Sequence, residues 1–229
     1  MQGQRKMQDL IQQERFELEA LDRLNSGRFL RSLIFGGGTM LRLCHGLDRF
    51  SVDLDFWLVP RQEAQPLFCA LQSYLSQYYV LKDAADKFHI LLFELRSPVF
   101  PRSLKIEIRK EVKKIKTEQS IAFSPSSTRQ VLLRTVSLRD MMSSKIASFL
   151  DRGEIRDAFD MEFLVKKGVY PDAGQEIAVE IARRLDALTP RDYSVKLGSL
   201  LPAEIRTYYR QRNFVILKAA IQKSLIKLN

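Results

Sequence analysis

The sequence has little of what thiol and metal-cluster chemistry requires. It contains two cysteines, Cys44 and Cys69, and two histidines, His45 and His89, among 229 residues. The cysteines show no Cys-x-x-Cys spacing, which argues against a zinc site or a disulfide framework and predicts buried free thiols. Neither histidine accompanies a nucleophile or a ligand spacing, so packed or hydrogen-bonded histidines are favoured over catalytic ones.

Long apolar runs are missing as well. No segment approaches the ~20 consecutive apolar residues of a membrane span, and the opening MQGQRKMQDL lacks the apolar core of a secretory signal. No internal repeat or low-complexity tract is evident. We therefore expect a globular, cytoplasmic protein with no membrane partner.

Positive charge is in excess. The chain has 37 Lys and Arg against 27 Asp and Glu, a net charge of +10. The excess is concentrated between Arg102 and Lys116 and after Arg183. A basic surface attracts nucleic acid with an affinity that falls as salt rises, so a polyanionic partner is favoured. Solubility alone also explains such a charge, and both interpretations stay open.

The most informative segment joins a glycine run to two aspartates. Gly36, Gly37 and Gly38 precede a predicted helix from Thr39 to His45, and Asp53 and Asp55 follow on a strand with apolar alternate residues. Residues two apart on a strand share a face, so the two carboxylates lie side by side.

Each part of this segment has its own chemistry. Paired carboxylates invite Mg²⁺ together with substrate phosphates. Glycine backbone N–H groups approach phosphate closely, and Thr39 is expected to cap the following helix. Glycine runs also occur in plain turns and alternating acids on solvated strands, so each part alone is weak. In combination they predict a nucleotidyl-transfer site.

The rest of the pattern predicts an α/β (α+β) fold, a mixed sheet flanked by helices and followed by a mainly helical C-terminal domain. The domains are predicted at 1–122 and 123–229, joined by a polar linker from Lys113 to Thr128. Strands are expected at 33–35, 52–58, 88–95 and 104–112, and helices at 8–24, 63–78, 154–167, 175–188 and 203–228. Ser137 and Asp140 form a predicted capping pair before a further helix.

The residues Gly37-Gly38-Thr39 and the run from Arg49 to Phe56, RFSVDLDF, resemble the AbiEii/AbiGii toxin family of nucleotidyltransferases in the polymerase-β-like superfamily. The run is similar to the family's Arg-x-Ser-x-Asp-Leu-Asp-Phe signature. The resemblance implies that Asp53 and Asp55 are catalytic and bind Mg²⁺ or Mn²⁺. It also implies that Gly37, Gly38 and Thr39 hold the triphosphate of an NTP, with Arg49 and Ser51 supporting the site.

The same resemblance implies a third catalytic and metal-binding carboxylate on a neighbouring strand. Glu107 stands at that position, where aspartate is usual. The alternative is an edge strand whose charged face meets solvent, with Glu107 paired to Lys105 or Arg109.

A second block, from Lys145 to Asp160, also resembles the family, with a Lys, an Arg and then Arg-Asp-x-x-Asp. It implies that Lys145 neutralises triphosphate, that Asp157 orients Lys145 or acts as a base, and that Arg152 and Arg156 bind phosphate, all in a cleft to which the C-terminal domain contributes. The alternative for Arg156 is a surface ion pair with Asp160.

Aromatic residues among the basic C-terminal helices leave two interpretations open. Tyr193, Tyr208, Tyr209 and Phe214 either form core or stack on unpaired RNA bases, and core is favoured.

The resemblance implies transfer of a nucleoside monophosphate from an NTP to an acceptor hydroxyl, with release of pyrophosphate. It further implies the toxin of a bacterial type IV toxin–antitoxin system linked to phage defence. The expected partners are an antitoxin protein and an RNA acceptor such as tRNA. Two alternatives remain, nucleotidylation of a protein hydroxyl and an inactive RNA-binding module of the same fold.

Overall fold

The computed structural model describes residues 2–111 and 114–227, and the chain divides into two compact units. The first unit holds the described residues up to Gly46 together with Phe50–Val136. The second holds Leu47–Arg49 together with the described residues from Ser137 onward. Over the described ranges, no helix is long and apolar enough to cross a membrane.

Seven strands form one mixed sheet in the described part of the first unit. They are β1 (Leu33–Gly36), β2 (Asp53–Leu58), β3 (Val80–Asp86), β4 (Ile90–Arg96), β5 (Leu104–Arg109), β6 (Thr117–Ala122) and β7 (Val131–Val136). Their order is β3-β4-β5-β2-β1-β7-β6. β2 runs antiparallel to β1 and parallel to β5, and β1 runs parallel to β7, while the other neighbours are antiparallel. The sheet is mixed, as predicted.

One face of the sheet is apolar because hydrophobic residues alternate with polar ones along its central strands. Leu54 of β2 is in register with Ile106 of β5, which is in register with Phe93 of β4, and all three are buried. α3 (Ala64–Leu75) packs on this face, where its Phe68 ring stacks 5.2 Å from that of Phe93. The polar residues of β2 and β5 therefore point to the other face.

The described part of this unit has two further α-helices, α1 (Gln2–Ser26) and α2 (Gly37–His45), and a 3₁₀-helical turn at Phe29–Ser32. α1 packs through Phe16, whose ring stacks 4.5 Å from Phe100. α2 starts where β1 ends and stops at Gly46, which has a left-handed φ of 78° and donates its N–H to the Arg42 carbonyl. Strand, glycine turn, helix and acidic strand follow one another as predicted.

The second unit is helical. Its helices are α4 (Leu138–Arg152), α5 (Ile155–Lys166), α6 (Gln175–Asp186), α7 (Ala203–Arg212) and α8 (Val215–Lys227), with π- and 3₁₀-helical turns at Asp192–Leu197 and Gly198–Leu200. Ser137 caps α4, since its hydroxyl accepts the Asp140 N–H at 3.2 Å and donates to the Asp140 carboxylate. The predicted capping pair is confirmed.

Aromatic side chains form the core of this unit. The Tyr209 ring lies 4.8 Å from Phe159 and 5.3 Å from Phe214, and Tyr193 lies 5.6 Å from Phe214. Tyr193, Tyr209 and Phe214 are buried, so the core interpretation is confirmed for them, whereas Tyr208 is exposed.

The structure differs from the sequence expectations around the predicted linker. β6 and β7 occupy part of the segment that was expected to be polar linker and helix, and the unit boundary falls after Val136 rather than after residue 122. The sequence of β6 resembles a loop because Thr117–Ala122 is an edge strand with mostly exposed polar residues. β3 was also missed, and for a similar reason, since it is the opposite edge strand and mostly exposed or half-buried.

Some predicted boundaries fall on positions that the structure leaves undescribed. Val112, Lys113 and Leu228, where a strand, the linker and the last helix were expected to end or begin, lie outside the described residues. The last predicted helix is divided into α7 and α8 at Asn213, which has a φ of 51°.

The two cysteines are free but differ in environment. Burial raises the pKa of the Cys44 thiol to about 12. Cys69 is exposed, so its predicted burial is wrong. The reason is its position on α3, where Leu67, Phe68 and Leu71 form the buried side.

Candidate active site

Asp53 and Asp55 lie on the polar face of β2, both half-buried. Asp55 is in register with Gly36 on one neighbouring strand and with Glu107 on the other. Register partners in adjacent strands share a face of the sheet, so Asp53, Asp55 and Glu107 lie on the same face. The three carboxylates that were predicted to act together therefore share one face of the sheet.

The glycines lie directly against this face. A Cβ built on Gly36 would lie 1.8 Å from the Trp57 ring, and a Cβ built on Gly37 would lie 2.1 Å from Oδ2 of Asp55. Gly37 also has a left-handed φ of 74°. Position 37 therefore requires glycine for two reasons, because a Cβ there would displace the Asp55 carboxylate and the left-handed φ would strain any other residue. Gly37 therefore keeps the start of α2 in contact with Asp55.

Thr39 connects α2 to the acidic strand. The side chain is fully buried, and its hydroxyl donates to the backbone carbonyl of Asp53 at 2.6 Å. The predicted capping role is wrong, because Gly36 is the N-cap residue of α2 and Thr39 lies inside the first turn. The hydroxyl instead fixes the position of Asp53 relative to the helix.

Glu107 is not an edge-strand residue. β5 lies between β4 and β2, and Glu107 is half-buried. Among the described residues, Glu107 has no ion-pair partner within 4.0 Å, so the alternative pairing with Lys105 or Arg109 is not formed. Lys105 is instead the register partner of Asp53.

The donor set suits a hard divalent cation. Carboxylate oxygens are the ligands that Mg²⁺ and Mn²⁺ prefer. In the part of the chain that the structure describes, no group of three or more His, Cys, Asp or Glu side chains is placed to hold a metal ion, so the prediction of Glu107 as a third metal ligand beside Asp53 and Asp55 is wrong. Mg²⁺ is commonly held by one or two carboxylates, with substrate phosphates and waters as the other ligands. The Asp53 and Asp55 pair fits that kind of site.

The predicted basic residues of the second block meet two buried acids of α5. Asp160 is fully buried and accepts hydrogen bonds from Arg49 Nε at 2.6 Å and Nη2 at 2.7 Å, and it lies 2.6 Å from Lys145 Nζ. Asp157 accepts from Lys145 at 3.2 Å and from Arg152 at 2.9 Å. The sequence builds this charge cluster because Gly153, with a left-handed φ of 64°, ends α4 and lets α5 return.

The cluster lowers the pKa of Asp160. Burial acts to raise the pKa of Asp160, but the charges of Arg49 and Lys145 and their hydrogen bonds outweigh it and lower the pKa below 3.8. Asp160 is therefore a permanent anion near neutral pH. It fixes Arg49, which sequence reasoning had placed only beside Ser51 in the acidic motif.

Two predicted site residues, Arg156 and Ser51, are not part of the charge cluster on α5. Arg156 is half-buried and, among the described residues, forms no ion pair within 4.0 Å, so its alternative pairing with Asp160 is not formed. Ser51 is half-buried and lies just before β2.

A buried acid of α1 was not singled out by the sequence. Glu17 is fully buried, and neither carboxylate oxygen has a hydrogen-bond partner among the described residues. Burial raises its pKa well above the ordinary value, Glu14 and Asp53 add to the increase, and Arg42 opposes it. The available signal was its position, since Glu17 interrupts an apolar series with Leu10, Leu21 and Leu24 at helical spacing.

Comparison with known families identifies the chain. A family model described as the nucleotidyl transferase AbiEii toxin of the type IV toxin–antitoxin system matches residues 19–213. The match includes the glycine turn, the acidic strand and the cluster on α5. The chain belongs to the AbiEii family. It is therefore a nucleotidyltransferase of the type IV toxin–antitoxin class, and the resemblance read from the motifs is confirmed.

Solved structures support the fold of this AbiEii protein. JHP933 from Helicobacter pylori is 22% identical, with a TM-score of 0.59 over 93% of this chain and 92% of that one. A putative nucleotidyltransferase from H. pylori is 20% identical, with a TM-score of 0.57 over 93% and 95% of the two chains. No curated protein matches significantly. At these identities the likeness concerns the fold.

Proposed function

We propose that this AbiEii protein transfers a nucleoside monophosphate from an NTP to a hydroxyl of an RNA acceptor, such as tRNA, and that the reaction depends on Mg²⁺ or Mn²⁺. The observation that carries the proposal is the contact between Gly37 and Asp55. It brings the N-terminus of α2, a favourable position for phosphate, to the acid that would hold the cation.

The residues of the first unit have separate tasks in this reaction. Asp53 and Asp55 would hold the cation, and Glu107, the register partner of Asp55, would add negative charge on the same face of the sheet. A bound cation would stabilise the charge that develops on the transferred phosphate. Gly37 and Gly38 would present their backbone N–H groups to the triphosphate, and Thr39 keeps Asp53 in place through its hydrogen bond.

The basic residues of the second unit keep their predicted tasks as part of the proposal. The contact between Lys145 and Asp157 supports an orienting role for Asp157. Half of the Arg152 side chain is exposed, and Arg156 has no ion-pair partner among the described residues, which supports a role in binding phosphate for both.

A transfer assay tests the proposal. Each NTP, labelled on its α-phosphate, is incubated with the protein, Mg²⁺ and total RNA, with and without a chelator. We expect labelled RNA with the wild type and with the control Asp83→Ala, which removes an exposed acid of β3. Asp53→Ala and Asp55→Ala should abolish the label, and so should the chelator.

The outcomes discriminate between the functions. Label on RNA that persists in Asp53→Ala and Asp55→Ala would remove the assignment of the acid pair. Label on protein bands in place of RNA would show nucleotidylation of a protein. RNA binding without transfer would show the inactive module.

A further inference from the structure

The helical unit contains a cavity that the nucleotidyl-transfer site does not use. It has a volume of about 450 Å³ and is formed by the end of α6, the turns that follow it, the end of α7 and the start of α8. We call it the helical cavity; its walls include Leu188, Pro190, Tyr193, Asp186, Arg210 and Lys218. Ligand pockets typically measure about 300–1,000 Å³, so the volume is at the small end of that range.

Part of the lining of the helical cavity is apolar and packs on the core of the unit. Tyr193 is buried, and its ring packs 5.6 Å from Phe214, which is fully buried. Leu188 and Pro190 are further apolar residues of the lining, and they are less buried than Tyr193. Apolar side chains of this kind can pack against a nucleobase, because every base has a flat face.

The charged groups of the cavity set the charge of its ligand. Lys218 Nζ lies 2.6 Å from Asp186 Oδ1, so these two charges balance. Arg210 is exposed and has no ion-pair partner among the described residues. The net charge of the lining is therefore about +1, which matches one phosphodiester and not the multiple charge of a triphosphate.

The surroundings of the cavity favour a polyanion. Between residues 183 and 223 the sequence has nine Lys and Arg against three Asp and Glu. Arg191 and Arg212 are exposed and, like Arg210, form no ion pair within the described residues. Arg191 and Arg212 directly adjoin the lining residues Pro190 and Asn213 in sequence, so a nucleic acid bound in the cavity would meet further positive charge nearby.

We propose that the helical cavity binds one nucleotide of a single-stranded segment of the RNA acceptor, with the base against Leu188 and Pro190 and the phosphodiester at Arg210. This inference rests on the proposed RNA acceptor. It assigns the acceptor a contact in the helical unit that is separate from the residues proposed to handle the NTP.

Steady-state kinetics of the full-length protein test the assignment. Arg210→Glu reverses the charge at the cavity, and Ser194→Trp fills it without changing charge, because Ser194 is an exposed lining residue. Arg139→Glu, at an exposed position of α4, is the matched control. We expect the KM for RNA to rise about tenfold in both cavity variants and to stay unchanged in the control, with the KM for NTP unchanged in all three.

A binding measurement separates failure of this inference from failure of the proposed function. The affinity of a fluorescent single-stranded RNA oligonucleotide, measured by anisotropy, requires no transfer. Arg210→Glu should weaken binding and reduce the slope of log affinity against log salt by about one, while Arg139→Glu should not. Thermal melting monitored by circular dichroism confirms that the variants are folded.

Cavity variants that bind RNA as tightly as the control would overturn the inference, whether or not transfer occurs. If the wild type transfers no label but the cavity variants still bind RNA more weakly than the control, the inference about the cavity stands and the proposed reaction is rejected.

Discussion

Replacement of Asp160 by Asn should destabilise the second unit substantially. Asp160 is fully buried, accepts two hydrogen bonds from Arg49 and lies 2.6 Å from Lys145. Asn removes the negative charge and leaves two buried cations facing a neutral amide. Removing one partner of a buried ion pair costs about 3–5 kcal/mol, and because Asn retains one carbonyl acceptor we expect about 3 kcal/mol.

The pKa shift of Asp160 adds a pH signature to this prediction. Its folded pKa is lowered below 3.8, since Arg49 and Lys145 outweigh the effect of burial. A lowered folded pKa contributes stability above the unfolded value, near 3.9, and this stability is lost as the pH falls through the folded pKa. The difference between wild type and Asp160→Asn should therefore be constant between about pH 5 and pH 8 and shrink only below about pH 4.

Urea unfolding and thermal melting followed by circular dichroism measure the effect. For a chain of this size about 3 kcal/mol corresponds to a decrease in Tm of roughly 6–12 °C. Asp151→Asn is the matched control, because Asp151 is exposed on α4. A difference between Asp160→Asn and wild type of less than about 0.5 kcal/mol, the range of ordinary surface substitutions, would refute the argument for the charge cluster.

Three further predictions concern the first unit. Gly37→Ala should lower kcat/KM by roughly 100-fold, because its Cβ would lie 2.1 Å from Oδ2 of Asp55 and move that carboxylate by about 1 Å. Glu17→Gln should make the free energy of unfolding less dependent on pH, as urea unfolding at about pH 5 and about pH 8 would measure. Because the folded pKa of Glu17 is raised, its contribution to the stability of the wild type is fully present below the unfolded pKa and is lost as the pH rises. An alkylating reagent should modify Cys69 quickly and Cys44 slowly, as mass spectrometry of the native protein would show.

Each of these has its control and its contrary result. Gly46→Ala places a Cβ at a left-handed φ in open space, so equal losses for Gly46→Ala and Gly37→Ala would argue against the Asp55 contact. The control for Glu17→Gln is Glu118→Gln, which removes an exposed acid of β6. If the free energy of unfolding of the wild type rose with pH relative to that of Glu17→Gln, the sign that burial requires would be reversed. Alkylation of Cys44 as fast as that of Cys69 would show that its thiol is accessible.

The acidic strand was predictable because its chemistry and its periodicity agree. Alternation along β2 fixes the face of Asp53 and Asp55 without knowledge of the neighbouring strands. The register of Glu107 with Asp55 depends on the pairing of β2 with β5, which no local pattern specifies. The family resemblance supplied that position instead.

The edge strands were not predictable by the same reasoning. β6 has exposed side chains at most positions, so it lacks the alternation that marks a half-buried strand. Because β6 was not recognised, the polar segment that contains it resembled a linker, and the domain boundary was placed too early in the chain.

The buried charges were the least predictable part of the site. Glu17 and Asp160 are fully buried, yet acids on helices are usually exposed, and burial depends on tertiary packing. The partners of Asp160 are distant in sequence from one another, since Arg49 precedes β2 and Lys145 lies on α4. Sequence reasoning named both cations, but it assigned Lys145 to the triphosphate and Arg49 to support of the acidic motif.

The rate of pyrophosphate release by Asp55→Asn tests the central claim most directly. The substitution keeps the size of the residue 55 side chain, which lies against Gly37, and removes the charge that would hold the cation. The account predicts Mg²⁺-dependent release with NTP and RNA in the wild type and in the control Asp83→Asn, and a loss of at least about 100-fold in Asp55→Asn. Release at the wild-type rate in Asp55→Asn would contradict it.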